Sequence, residues 1–253
     1  MPSCAPIATG PRRVIVTGAA GGIGRAVVQM LSQAGCSVGA CDLHEPPAEA
    51  PDGHARAAFD VRDRAAVDRG VTQLVEALGG CDALVANAGV VDTIHRAERF
   101  PEEAWERDLD SNLTGQFNVA RASFEALAGS GDGRVVFVSS ASAETGLPGQ
   151  VAYTAAKAGI VGMARTLAAE WAPHGIRVNV IMPGLIATPK TLALPEPVRE
   201  QLTGAVPLGR LGEPDELAGA IAFLLSDAAA YMTGSVLRVD GGLGLNQLGL
   251  HRR

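Results

Sequence analysis

A single doubly wound α/β domain, built on a seven-stranded parallel sheet with helices on both faces, is the fold class this sequence predicts. Three observations lead there. Short β-branched runs alternate with longer helical patterns along all 253 residues, as expected of parallel strands joined by crossover helices. Glycines cluster directly after the first such run, in "TGAAGGIG". The composition, 47% hydrophobic with 31 Gly and only 4% aromatic residues, suits a core packed from aliphatic and small side chains. No linker or composition shift divides residues 1–253, so one domain is expected.

Taken in order, "RVIVT" (Arg13–Thr17) reads as a buried strand and Ile23–Ala34 as a helix stopped at Gly35. "SVGACD" (Ser37–Asp42) is a second strand, followed by the Pro-rich loop "EPPAEAPDG". Ala55–Phe59 is a short third strand, and Arg62–Leu78 a helix ending on Gly79–Gly80. Ala83–Asn87 is the fourth strand, and Pro101–Ala128 a long helical region. Arg134–Ser140 is the fifth strand, Val151–Trp171 a helix, and Arg177–Pro183 the sixth strand. Pro214–Leu225 has Pro at its first helical position and acids in its first turn; Ser235–Asp240 is the seventh strand. Residues Ala187–Pro207 fit neither a strand nor a long helix, and a connection this long suits a substrate lid.

A formal charge of −6 and a pI near 5.4 argue against nucleic acid as a partner, because phosphate neutralisation needs clustered cations. The pairs Arg12–Arg13 and Arg252–Arg253 are too short for a polyanion site. Cys4, Cys36, Cys41 and Cys81 have neither metal-ligand nor disulfide-framework spacing, so reduced thiols and no metal are expected. The start lacks a signal pattern, and no apolar run reaches the roughly 18–20 residues that span a bilayer. A soluble cytoplasmic protein without a membrane partner is expected.

Gly18, Gly22 and Gly24 stand where the first strand turns into the first helix. Glycines there let backbone approach a pyrophosphate, and a helix N-terminus offers free N–H groups and positive dipole. Asp42 ends the next strand, 18 residues after Gly24, which completes the dinucleotide-binding pattern of a Rossmann fold. A carboxylate at that place accepts the adenosine ribose hydroxyls and repels a 2′-phosphate. Neither Ala20, Gly21 nor Leu43 offers a cation to such a phosphate. NAD(H) is therefore expected over NADP(H); the plainer alternative is that Asp42 only caps the following loop.

Only two of the 21 basic residues are lysines, and one of them, Lys157, follows one of only two tyrosines, Tyr153, by four residues. On a helix the two share a face, with Cβ atoms about 5–6 Å apart. An ammonium beside a phenol favours the phenolate, so Tyr153 is expected to titrate below its ordinary value. A base poised nearer neutrality is what alcohol oxidation needs, since the hydroxyl proton must leave as hydride leaves carbon. Upstream, Ser139 and Ser140 sit at a strand's C-terminal end, the edge at which open parallel sheets bind ligands.

These motifs, in this order, resemble the short-chain dehydrogenase/reductase family over essentially Arg13–Gly242. They are the glycine turn, "FDV" at Phe59–Val61, "ANAG" at Ala86–Gly89, "SNLTG" with Asn112, Ser140 with Tyr153 and Lys157, and "PGLIAT" at Pro183–Thr188. The resemblance implies an oxidoreductase acting on a secondary alcohol or ketone with Tyr153 as general acid/base. Lys157 would then lower the phenol's pKa and hold the nicotinamide ribose, Ser140 bond the substrate oxygen, and Asn112 anchor a proton-relay water. Ile23 and Leu43 would accompany the glycine turn and Asp42, Asp60 and Val61 meet the adenine, and Asn87, Ala88 and Gly89 line the ribose side. Pro183, Gly184, Ile186 and Thr188 would lie by the carboxamide. Members often have Asn-Asn-Ala-Gly where this chain has Ala86-Asn87-Ala88-Gly89, a departure expected to affect packing more than chemistry.

His174 and Asn179 read as residues that set a helix end and a strand start, and Trp105 and Trp171 as packing residues. Val151–Trp171 is apolar or small nearly all round, which calls for burial on two sides and hence a subunit interface. The resemblance implies a homotetramer or homodimer, with the tail 243–253 reaching across. Val90–Arg96, Ala141–Gln150 and the lid 187–207 are expected to form the substrate cavity, with Leu147, Leu192 and Leu194 apolar, and His95 and Glu144 polar. A 3-oxoacyl-[acyl-carrier-protein] reductase, usually NADPH-linked, is the alternative, with Arg96, Arg99 and Arg134 as a docking patch. A non-catalytic dinucleotide-sensing regulator is the remote one.

Overall fold

The structure, a computed structural model, describes residues 12–44 and 54–245. The loop 45–53 and most of the tail expected at 243–253 lie outside them. Seven strands form one sheet, all parallel, in the order β3-β2-β1-β4-β5-β6-β7. They are β1 (Arg13–Thr17), β2 (Ser37–Asp42), β3 (Ala55–Ala58), β4 (Ala83–Ala86), β5 (Gly133–Val138), β6 (Ile176–Pro183) and β7 (Val236–Val239). The expected strands are all present, and Asn87, Ser139 and Ser140 fall just beyond strand ends, where side chains leave the ladder.

Helices α1 (Gly22–Gln33) and α2 (Arg64–Leu78) precede α3 (Glu102–Leu109) and α4 (Gly115–Gly129). Then come α5 (Ser142–Thr145), α6 (Val151–Trp171), α7 (Pro189–Leu192), α8 (Glu196–Gly204) and α9 (Pro214–Leu224). Alternate strand residues feed two cores. Val14, Val16, Val85 and Val136 pack with α1 and α9, while Ile15, Leu84, Val135 and Phe137 pack with α2, α4 and α6. Both faces are thus covered, which is why the strands read as continuous apolar runs rather than alternating ones.

One region differs from the sequence reading. The helical stretch over Pro101–Ala128 is interrupted by a π turn at Asp110–Thr114, closed by the Gly115 N–H reaching the Asp110 carbonyl. One inserted residue is invisible to a 3.6-residue periodicity, and it falls on Asn112. The segment 187–207, expected to be neither a strand nor a long helix, carries two short helices: Thr188 caps α7 by accepting from Thr191 N–H, and α8 follows.

The edge where the strands begin is closed by ions. Arg13 clasps Asp82 with its backbone N–H and guanidinium, at 2.8 and 3.0 Å. Arg134 pairs with Asp132 and with Asp227, both at 2.5 Å, and its guanidinium also reaches the Leu225 carbonyl. Arg134 is 2% exposed. It therefore does not belong to any docking patch by the site, because its position near the start of β5 sends it into the opposite edge. Trp105 likewise departs from expectation: it is 38% exposed on the outer face of α3, whereas Trp171 is buried against Phe124.

Candidate active site

The strand order reverses between β1 and β4, and a crevice opens at such a switch point beyond the strands' C-terminal ends. Thr17 joins the two strands there. Its hydroxyl accepts from Asn87 N–H at 3.0 Å and Ala88 N–H at 2.9 Å. Asn87 returns its amide to the carbonyls of Thr17 and Gly18, at 3.1 and 3.2 Å. Gly18 has φ +66°, and a Cβ on it would stand 2.8 Å from the Asn87 amide nitrogen and 2.9 Å from Ala88 Cα. A Cβ on Gly24 would collide with the Gly18 carbonyl. Only glycines permit this approach of turn to helix.

Helix α1 then starts at Gly22 with no side chain capping its first N–H groups, which leaves donors and dipole for an anion. Ile23 lies partly buried beside them. Asp42 accepts from Ala20 N–H at 2.9 Å and from Leu43 N–H at 2.7 Å. It therefore caps its own loop and also stands against the glycine turn, with lone pairs left on each oxygen. Asp60 is clasped by Arg62 at 2.6–3.0 Å, and that bond holds its carboxyl below the usual range. The Val61 carbonyl accepts from Asn118 at 3.0 Å. Uncapped N–H groups, a glycine cradle and an edge carboxylate fit a dinucleotide.

Lys157 and Tyr153 share one face of α6, the ammonium 5.7 Å from the phenol ring centre. Ser139 fixes this helix to β5 by donating to the Lys157 carbonyl at 2.7 Å, while Lys157 Nζ donates to the Val138 carbonyl at 2.9 Å. Lys157 is 4% exposed, and burial pushes its pKa down to about 7. Burial pushes Tyr153 above its ordinary value, opposed by a hydrogen bond with Ser140. This corrects the expectation of a lowered phenol. Among the described residues no carboxylate supports the ammonium, and burial weakens its charge, so desolvation of the phenol prevails.

Asn112 lies fully buried, its amide donating to the carbonyls of Val90 and Asp108, both at 2.9 Å, and accepting from Val90 N–H at 3.2 Å. Gly89 makes room: a Cβ there would meet Asn112 Oδ1 and stand 3.5 Å from Lys157 Nζ. Gln116, which the sequence did not single out, is buried between the carbonyls of Ala88 and Val138, with Oε1 unpartnered. A polar residue on the covered face of α4 was the available signal.

The substrate side is drawn together by loops. Pro183 accepts from Ala141 N–H at 2.8 Å, and a Cβ on Gly184 would stand 2.7 Å from Asp240 Cα. Ile186 bridges to Gly212, and Thr188 with Pro189 lies 3.0 Å from where a Gly22 Cβ would be. Leu147 and Leu192 are exposed, Leu194 is half-buried, and His95 N–H donates to Gly149 at 2.9 Å. Glu144 faces neither solvent alone nor an empty cavity; it accepts from Arg238 at 2.5 Å, and Arg238 also holds Asp240 and the Leu243 carbonyl. Lys190, the other lysine, pairs with Asp92 across the lid; its rarity was the signal. His174 lies edge-on to Phe124, and Asn179 holds Met232 and Ser235. Among the described residues no group of His, Cys, Asp or Glu is placed to hold a metal, and no helix is long and apolar enough to cross a membrane.

The lysine gives a stability test. Its folded pKa of about 7 lies below the unfolded 10.5, so the unfolded chain binds more protons between those values. Its penalty is complete below pH 7 and is lost as pH rises toward 10.5. Urea denaturation of ligand-free Lys157→Met should show greatest gain over wild type near neutrality, shrinking by at most roughly 1.4 kcal/mol per pH unit. A pH-independent difference between the two proteins would refute the lowered value.

Comparison with known proteins shows the family and the fold. The family model described as Enoyl-(Acyl carrier protein) reductase matches residues 18–244. The 3-oxoacyl-[acyl-carrier-protein] reductase FabG of Thermotoga maritima is 39% identical over 238 residues, covering 90% of this chain and 96% of its own. MabA of Mycobacterium tuberculosis, also a 3-oxoacyl-[acyl-carrier-protein] reductase, is 38% identical over 234 residues, 92% and 93% of the two chains. The (3R)-3-hydroxyacyl-CoA dehydrogenase of Mus musculus is 36% identical over 245 residues, 90% and 95% of the two. The crystal structure of gox2181 superposes with TM-score 0.85 at 36% identity, covering 92% of this chain and 95% of that one. The chain belongs to the short-chain dehydrogenase/reductase family of NAD(P)-dependent oxidoreductases.

Proposed function

We propose that the protein transfers hydride between NAD(H) and a secondary alcohol or its ketone, with Tyr153 as the general acid/base. One observation carries the reading: the segment Asn87–Gly89 touches both halves of the crevice. Asn87 holds the glycine turn, and Gly89 lies against Asn112 and Lys157. The turn that would hold a dinucleotide and the Tyr153–Lys157 pair thus adjoin the same segment. The bound nicotinamide supplies the hydride acceptor or donor. In oxidation the Tyr153 phenolate takes the hydroxyl proton while Ser140 donates to the substrate oxygen. Lys157 would hold a ribose hydroxyl of the bound cofactor, a bond that would favour its charged form and with it the phenolate.

Asp42 supports NAD(H) over NADP(H), since a 2′-phosphate beside it would add like charge. The names of the relatives favour a second reading, a 3-oxoacyl or 3-hydroxyacyl thioester as substrate. For it the exposed Ile94, Leu147 and Leu192 offer an apolar mouth, and Arg96 and Arg99 remain as cations for a carrier. A homotetramer or homodimer is supported by α6, which exposes Val151, Ala155, Ala158 and Gly162 along one face. One continuous fold for the whole chain and a place in the cytoplasm complete the reading.

NADH absorbance with a panel of secondary alcohols and 3-hydroxyacyl thioesters tests it. Tyr153→Phe should lower kcat/KM by about 10²–10⁴-fold; equal rates would remove Tyr153 from its role. Asp42→Ala should reduce the preference for NAD over NADP by about tenfold or more, because like-charge juxtaposition costs several kcal/mol. An unchanged ratio would leave Asp42 as a loop cap only. Sedimentation should find no monomer at about micromolar concentration; a monomer there would sink the predicted interface.

A further inference from the structure

Ser140 is held from one side by a residue that the reaction does not otherwise use. The first residue of α5, Ser142, directs both its donors at the Ser140 hydroxyl oxygen: the backbone N–H at 3.2 Å and the side-chain hydroxyl at 3.0 Å. A serine oxygen has two lone pairs and one proton. With both lone pairs taken, Ser140 retains only its proton to offer. The hydroxyl is then left with a proton to donate, and an interaction with Ser140 acts to lower the pKa of the Tyr153 phenol.

We propose that Ser142 is a positioning residue that locks Ser140 into the donor state, so that Ser140 stabilises the Tyr153 phenolate and, in turn, the substrate oxyanion. The inference rests on the proposed role of Tyr153. A free serine hydroxyl rotates and as readily accepts from a neutral phenol, which would favour the wrong protonation state. Ser142 is 6% exposed and takes no part in any ladder. Its short helix is held by the Ala141 N–H bond to Pro183 behind it, and by the Glu144 ion pair to Arg238 in front.

Among the described residues, no other charge competes for the phenol. On α6 itself Lys157 is the near neighbour. Asp108 of α3 is bound to Arg107 and Thr93, while Glu102, Glu103 and Glu106 lie in solvent. Asp110 of the π turn is held by Thr114, and Glu144 of α5 by Arg238. Arg177 of β6 donates to the carbonyls of Leu224 and Met232, and His174 lies against Phe124.

The experiment compares Ser142→Thr with Ser142→Val, which have the same shape but differ by the hydroxyl, alongside Ser142→Ala. The pH dependence of kcat/KM for alcohol oxidation is read with any alcohol that wild type turns over. In the Val and Ala variants the rising limb should move to higher pH by about half to one unit, the equivalent of one lost hydrogen bond. The Thr variant should keep the wild-type limb, and the cofactor Kd should be unchanged in all three. A second readout needs no turnover. The chain has only two tyrosines and Tyr231 is fully exposed, so in a Tyr231→Phe background the ultraviolet phenolate signal belongs to Tyr153 alone. Its midpoint should rise in the Val variant and not in the Thr variant. Limbs and midpoints unmoved by Val or Ala, or moved equally by Thr and Val, would overturn the inference. Tyr153→Phe run beside them separates the two failures. An active Tyr153→Phe refutes the underlying reaction, whereas an inactive one with unmoved Val and Ala limbs refutes Ser142 alone.

Discussion

A lysine side chain sealed from water with a backbone carbonyl as its acceptor is the constraint around which this crevice is arranged. Among the described residues Lys157 has no carboxylate partner, so burial works against its charge rather than for it. The neighbours accommodate this. Val138 supplies an oxygen, Ser139 fixes the helix that carries the lysine, and Gly89 withholds a side chain from the space around the ammonium. An arginine, with its broad fork and permanent charge, would satisfy none of these requirements. Burial thus favours the neutral phenol and weakens the charge of the amine beside it.

The second organising contact is the hydroxyl of Thr17. By accepting from both Asn87 and Ala88 it ties the end of β1 to the end of β4 at the point where the sheet reverses direction. The same short segment ends at Gly89, within reach of Asn112 and Lys157. The glycine turn and the surroundings of Lys157 therefore adjoin one short segment.

Much of this was legible in the sequence, for physical reasons that differ by element. Buried parallel strands are continuous apolar runs, which is why β1, β4 and β5 announced themselves, while the edge strands β3 and β7 are only partly buried and carry an arginine each. The glycine turn and the Tyr153–Lys157 pair are local patterns with fixed spacing. What stayed hidden depends on long-range placement. The π turn at Asn112 adds one residue to an otherwise helical pattern, Arg134 points away from the site because of where β5 begins, and Glu144 meets Arg238 from 94 positions away. The direction of the Tyr153 shift also escaped, because spacing reveals a neighbour but not how dry the place is in which both reside.

The ion network of Arg13, Asp82, Arg134, Asp132 and Asp227 has a bearing on ancestry as well as on rigidity. It stands at the strands' beginnings: Arg13 ties β1 to the start of β4, and Arg12, just before β1, joins Arg134 of β5 on Asp132 and Asp227, without touching the loops at the other end. Such a separation leaves those loops free to be rewritten over generations while the scaffold keeps its shape, which is how one architecture comes to serve many different alcohols.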